Sequence, residues 1–164
     1  MKNDGQQLPQ VVIYTDGACA GNPGPGGYGV VLLYNSHRKE ISAGFRKTTN
    51  NRMELMAVIE ALKSLKNRCR VKLYTDSQYI ADSVNKGWAR RWQSNHWKRS
   101  KKEKALNPDL WEKLLGLLDE HEVDLTWLRG HDGVPENERA DFLATRAIKS
   151  EKLGVDQVYE DSLN

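Results

Sequence analysis

The sequence predicts one α/β domain: a five-stranded mixed sheet, three strands antiparallel and two parallel, with helices on both faces. Three observations lead there. The chain opens with three β-rich apolar runs separated by short turn-forming segments, the pattern of a meander. From Asn51 the apolar residues switch to helical spacing, and helical and strand-like runs then alternate. A length of 164 residues suits a single core, and no repeat or low-complexity linker divides it.

The first strand is VVIYT from Val11, ending at Asp16-Gly17. GNPGPGG, from Gly21 to Gly27, is turn chemistry. YGVVLLY from Tyr28 and ISAGF from Ile41 are the next two strands, and the connector NSHRKE is short enough for antiparallel pairing. Leu55, Val58, Ile59, Leu62 and Leu65 then form a helical stripe. Val71, Leu73 and Thr75 alternate in a strand that ends at Asp76-Ser77. The basic, Trp-rich segment from Gln78 to Lys104 is expected to be helical. Asn107-Pro108 starts a helix carrying Leu110, Trp111, Leu114, Leu115 and Leu118. Val123, Leu125 and Trp127 mark the last strand, Gly130 to Gly133 a loop, and Pro135 the start of a helix running to about Lys149. Residues 1–150 are expected to form the domain, and 151–164 a polar, loosely held tail.

The composition, 38% hydrophobic and 29% charged, is that of a soluble globular protein. No apolar run approaches the ~20 residues of a membrane span, and the polar start MKNDGQQ lacks a signal-peptide apolar region. Cytoplasmic residence and a monomer are the expectations. Cys19 and Cys69 then read as free thiols, and neither has zinc-finger spacing to another Cys or His. The net charge of +3 is unevenly spread: Lys86 to Lys104 carries +7 over 19 residues, so the remainder carries −4. Such a segment attracts a polyanion, or is simply a solvated helix face.

Two strands end alike, in Tyr14-Thr15-Asp16-Gly17 and Tyr74-Thr75-Asp76-Ser77. If they are parallel neighbours, both carboxylates emerge at the edge where open α/β sheets bind ligands. A lone Asp in this place is otherwise a turn or cap residue, and Asp76 is suited to capping the helix that follows. Glu54 lies at the edge of the first helix's apolar stripe, and Asp141 shares a face with Ala144 and Ile148. Inward-pointing acids are costly without compensation, which either a metal or a salt bridge to Arg52 or Arg139 would provide. Oxygen-only ligands favour Mg²⁺ or Mn²⁺ over zinc. A two-ion acidic cluster suits phosphodiester hydrolysis. His131, flanked by Gly130 and Asp132-Gly133, is suited to proton transfer near neutral pH, although a lone surface His is often neutral to function.

Four strings carry a family likeness: YTDGACAGNPGPGGYG from Tyr14, TTNNRMELMAVIEAL from Thr48, TDSQY from Thr75 and GHDGVPENERAD from Gly130. With them the chain resembles bacterial type 1 ribonuclease H from Val11 to about Lys149. The resemblance implies the ribonuclease H-like fold and an endonuclease that cuts the RNA strand of an RNA–DNA hybrid, leaving 5′-phosphate and 3′-hydroxyl ends. It implies that Asp16, Glu54, Asp76 and Asp141 bind the metal and that His131 is the catalytic histidine. It further implies groove contacts from Asn22, Asn50, Asn51 and Gln78, with the backbone amides of Gly17 and Cys19. Thr49, Lys47 and Asn22 would form a pocket for a phosphate of the DNA strand; Lys47 stands where some relatives carry Arg. TTNNR is equally a helix cap. The basic segment resembles the family's DNA-gripping handle, with Trp88, Arg90, Arg91 and Trp92 as contacts, although Trp88 and Trp92 at i, i+4 could instead pack inward. After Arg99, SKKEKALN departs from the family pattern. A broader nuclease and a non-cutting hybrid-binding module are the competing readings.

Overall fold

The computed structural model describes residues 7–130 and 132–164. Its centre is a mixed sheet of five strands: β1 (Gln10–Cys19), β2 (Gly24–Tyr34), β3 (His37–Thr48), β4 (Arg70–Thr75) and β5 (Glu122–Trp127), in the order β3-β2-β1-β4-β5. The first three form an antiparallel meander, while β4 and β5 are parallel to β1. Short turns permit the antiparallel pairs, whereas a parallel neighbour needs a crossover. Helix α1 (Asn50–Lys63) carries the chain from β3 to β4. From β4 it returns to β5 through α2 (Gln78–Asn85), α3 (Trp88–Ser94) and α4 (Pro108–Glu120). Helix α5 (Pro135–Ile148) and the short α6 (Gln157–Asp161) follow.

One face of the sheet holds the larger core, where Val11, Ile13, Val30, Val71 and Leu73 meet Leu55, Val58, Leu62, Trp111 and Leu114. The other face packs on α5 through Val31, Ala140 and Leu143, with Tyr14 and Leu33 beside them. That second layer is thin because α5 lies almost on the backbone: a β-carbon on Gly29 would collide with the Ala140 carbonyl oxygen.

Four boundaries differ from expectation. Strand β1 does not stop at Asp16; it continues to Cys19 because its antiparallel ladder with β2 extends to Cys19↔Gly26 after the parallel ladder with β4 has ended at Thr15↔Thr75. The turn expected over Gly21 to Gly27 is shorter, since β2 begins at Gly24. The basic segment is helical only to Ser94. His96 and Trp97 take positive φ, Lys98 bridges to Lys104, and 95–107 is irregular. A run of like charges with little apolar surface to bury gives a helix nothing to hold it there.

The tail is the fourth difference. It is docked, not loose: Gly154 donates its N–H to the Gly44 carbonyl at 2.8 Å, and the Arg46 N–H bonds the Gly154 carbonyl at 3.0 Å. Asp156 beyond it is 3% exposed. Among the described residues no helix is long and apolar enough to cross a membrane, and both cysteines are free thiols.

Candidate active site

The repeated Tyr-Thr-Asp strings fall side by side. β1 and β4 are parallel neighbours with Tyr14 opposite Tyr74 and Thr15 opposite Thr75, so Asp16 and Asp76 leave the shared ladder together. The two tyrosine rings stack at 4.9 Å, and the Thr15 hydroxyl donates to the Tyr74 carbonyl at 3.3 Å. Gly17 explains how a third acid reaches the pair. A β-carbon there would lie 2.5 Å from the Glu54 backbone nitrogen and 2.7 Å from the Met53 carbonyl carbon. Only a glycine lets α1 approach β1 closely enough to set Glu54 beside Asp16.

Asp16, Glu54 and Asp76 each present a ligand atom, all within 4.8 Å of one another. Asp16 is 4% and Glu54 5% exposed. Burial, then the charge of Asp76, then a hydrogen bond with Asp141 push the Asp16 carboxyl up to about 9. Burial and the neighbouring charges of Asp16 and Asp76 likewise raise Glu54 well above the ordinary carboxylate range. Asp141, half-buried on α5, joins the cluster through its interaction with Asp16. Three acids converge and Asp141 lies beside them outside that set, a concentration of charge that is unfavourable unless a cation balances it.

The structural roles considered for Asp76, Glu54 and Asp141 are taken by other residues or other partners. Asp76 is not the cap of α2; Ser77 is, its hydroxyl accepting the Ile80 N–H at 3.2 Å. Arg52 does not balance Glu54, because its guanidinium is shared between Asp109 and Asp156. Arg139 does not balance Asp141, since it bonds Glu40 at 2.8 Å through both Nε and Nη2. Glu54 Oε1 is buried without a hydrogen-bond partner. A buried carboxyl with an unpartnered oxygen, close to two further carboxyl groups, fits a hard, oxygen-seeking divalent cation.

The other expected site residues are dispersed around this centre. Thr49 caps α1 by accepting the Arg52 N–H at 3.2 Å, and the Asn22 side chain accepts the Asn50 N–H at 3.0 Å, tying the two loops together. Asn50 and Asn51 are half-buried in the first turn of α1, Asn22 and Lys47 are exposed, and Gln78 is exposed at the start of α2. Cys19 is half-buried at the end of β1, while the Gly17 N–H donates to Asp16 Oδ1 at 2.8 Å. His131 lies outside the described residues. Gly130 before it packs on the cluster: a β-carbon there would sit 3.0 Å from Asp76 Oδ2.

The handle divides. Trp92 turns inward onto Trp111, edge to face at 6.0 Å, and Trp97 packs against the same core. Trp88 is half-buried with Lys86 Nζ 5.3 Å over its ring. Arg90 is held by Asp119 at 2.7 Å, whereas Arg91 lines a recess of about 370 Å³ with Lys98 and Arg99. Two participants were not foreseen from the sequence. Asn137, one turn before Asp141, is 2% exposed with an unpartnered Oδ1; its only sequence signal is its i, i+4 spacing to Asp141. Asp156 had no sequence signal, because its partners lie about a hundred residues upstream.

A model of the RNase H family matches residues 9–149. The chain belongs to the ribonuclease H family. A Ribonuclease H of Desulforamulus reducens is 60% identical over 154 residues, covering 94% of this chain and 97% of its own length. The crystal structure of LC9-RNase H1, a type 1 RNase H with the type 2 active-site motif, is similar with a TM-score of 0.80 at 35% identity. That match covers 90% of this chain and 75% of the other. LC11-RNase H1, solved in complex with an RNA/DNA hybrid, is similar with a TM-score of 0.66 at 28% identity over 85% of this chain and 96% of its own. Relatives of this identity and coverage make the chain a ribonuclease H enzyme.

Proposed function

We propose that the chain is an endonuclease that hydrolyses the RNA strand of RNA–DNA hybrids by two-metal-ion catalysis, giving 5′-phosphate and 3′-hydroxyl ends. The observation that carries this reading is the convergence of buried Asp16 and Glu54 with half-buried Asp76, Glu54 Oε1 being unpartnered among the described residues. With Asp141 they would hold Mg²⁺, or Mn²⁺ in its place. When bound, the two ions supply activation of the attacking water and stabilisation of the leaving oxygen. His131 is assigned the movement of a proton at the reacting phosphate, consistent with the packing of Gly130 on Asp76.

Recognition is assigned to short polar groups at the N-termini of α1 and α2 and in the loop facing α1. Asn22, Asn50, Asn51 and Gln78, with the backbone at Gly17 and Cys19, suit a minor groove that displays 2′-hydroxyls. Lys47, Thr49 and Asn22 suit a phosphate of the DNA strand. In the handle, Trp88 and Arg91 remain available to the DNA backbone, while Arg90 must exchange its bond to Asp119 for a phosphate. Trp92 contributes by holding the handle on the core through Trp111. The enzyme is proposed to act as a monomer in the cytoplasm.

The deciding experiment incubates end-labelled RNA–DNA hybrid, duplex DNA, duplex RNA and single-stranded RNA with the protein, with and without Mg²⁺. Metal-dependent cutting confined to the RNA of the hybrid is the expected result. Equal cutting of duplex DNA would overturn the substrate assignment, and tight hybrid binding without cleavage would mark a binding module instead. His131→Ala should slow single-turnover cleavage by about 10²-fold without abolishing it; an unchanged rate would remove His131 from the chemistry.

A further inference from the structure

One carboxylate from the far end of the chain holds the residues on both sides of Thr49-Asn50-Asn51. Asp156 Oδ2 accepts from the Thr48 hydroxyl at 2.7 Å and from Arg52 Nε at 2.7 Å, and Oδ1 accepts from Arg52 Nη2 at 3.1 Å. Thr48, the last residue of β3, is wholly buried, and Arg52 in the first turn of α1 is 3% exposed. Arg52 also reaches Asp109 at 2.7 and 3.0 Å and Asn107 at 3.3 Å, so its position is fixed from two elements. The segment bearing Asp156 is itself anchored on β3 through Gly154.

Both oxygens of the Asp156 carboxylate bond this one short stretch of chain, and Oδ1 also caps α6 by accepting the Tyr159 N–H at 3.5 Å. Thr48 and Arg52 bracket the three residues assigned to nucleic-acid contact, and Thr49 completes the turn by capping the Arg52 N–H at 3.2 Å. A loop fixed at both ends before its ligand arrives pays less ordering entropy on binding. Asp16 and Asp76, by contrast, are placed by β1 and β4 and do not touch this network.

We propose that Asp156 is a positioning residue for hybrid binding: by holding Thr48 and Arg52 it fixes the turn that presents Thr49, Asn50 and Asn51 to the nucleic acid. The inference rests on the hybrid-cutting reading given above. Its signature is a KM effect with little change in kcat. Asp109 supplies the control, because it too pairs with Arg52 but makes no bond to Thr48.

The test compares wild type, Asp156→Asn, Thr48→Val and Asp109→Asn in steady-state cleavage of an RNA–DNA hybrid in Mg²⁺, at a temperature where melting curves show each one folded. KM should rise about tenfold in Asp156→Asn and about threefold in Thr48→Val, with kcat within about twofold of wild type. Asp109→Asn should lower Tm yet leave KM within about twofold. Wild-type KM in both Asp156→Asn and Thr48→Val overturns the proposal, as does an equal rise in Asp109→Asn, which would reduce Asp156 to a general stabiliser. If Asp156→Asn fails to fold, Thr48→Val, which keeps the ion pair, decides alone. A wild type that leaves hybrid intact overturns the functional reading and this inference with it. A wild type that cuts while the variants keep its KM overturns the positioning role only.

Discussion

Helix α1 is flanked by two clusters of buried and half-buried carboxylates whose electrostatics are opposite. On one side, Asp156 and Asp109 close on Arg52, with the Thr48 hydroxyl bonded as well. On the other, Glu54 meets Asp16 and Asp76 with no cationic side chain paired to them among the described residues. Burial is nearly the same, 3% exposed for Asp156 and 4% for Asp16. The pKa directions differ between the clusters: Arg52 holds the half-buried Asp109 carboxyl below its usual value, whereas the buried Asp16 rises to about 9. Burial of a carboxylate alone therefore says nothing about function. What separates the two clusters is whether the chain supplies the compensating charge itself or leaves it to be brought from outside.

Substitutions should treat the two clusters in opposite ways. The largest effect is expected from Asp16→Asn, which should lower kcat by about 10³-fold or more while hybrid affinity, read by fluorescence anisotropy, stays near wild type. Near-normal turnover would break the distinction at once. Next comes Arg52→Met, which strands two carboxylates on the paired side. Denaturant titration should show a loss of about 3–5 kcal/mol; a neutral result would mean that the pairing does not hold the fold.

Smaller effects sharpen the comparison through pH. The folded-state pKa of Asp16, about 9, lies above its unfolded value of 3.8, so the folded state binds the extra proton between them. Stability from this group is present at low pH and is lost as pH rises from about 4 toward about 9. In EDTA, the Tm advantage of Asp16→Asn over wild type should accordingly grow across that range, and saturating Mg²⁺ should remove it. A constant difference would show that Asp16 is not held protonated. The smallest shift is expected from Glu54→Gln in EDTA at pH 8. Removing the cost of burying an acid beside Asp16 and Asp76 should raise Tm by about 2–4 °C, the equivalent of about 1 kcal/mol. A fall in Tm there would mean that the carboxylate makes a structural bond.

Much of this was legible in the sequence because it obeys local rules. An apolar run marked β1, alternation marked β4 and β5, helical spacing marked α1, and the shared Tyr-Thr-Asp string anticipated two acids in register. The four acids could be proposed because Asp16 and Asp76 end two similar strands while Glu54 and Asp141 face inward from their helices. What escaped depended on partners distant in sequence. β1 outruns its expected end since β2, not β4, sets its length. Nothing local tells a reader that Ser77 rather than Asp76 caps α2, or that Trp92 finds Trp111. Asp156 sits in an unremarkable polar segment and gains meaning only from Arg52, 104 residues earlier.

The backbone bonds at Gly154 have one more consequence. Strand β3 lies at the outer edge of the sheet, where unpaired N–H and carbonyl groups offer a template to any extended chain. Gly154 occupies that template at Gly44 and Arg46, and the Arg46 guanidinium, bonded to Glu160 at 2.8 and 2.9 Å, lays charge across the same edge. The chain thus blocks part of its own adhesive margin, so that a basic protein built to collect polyanions is less prone to collect copies of itself.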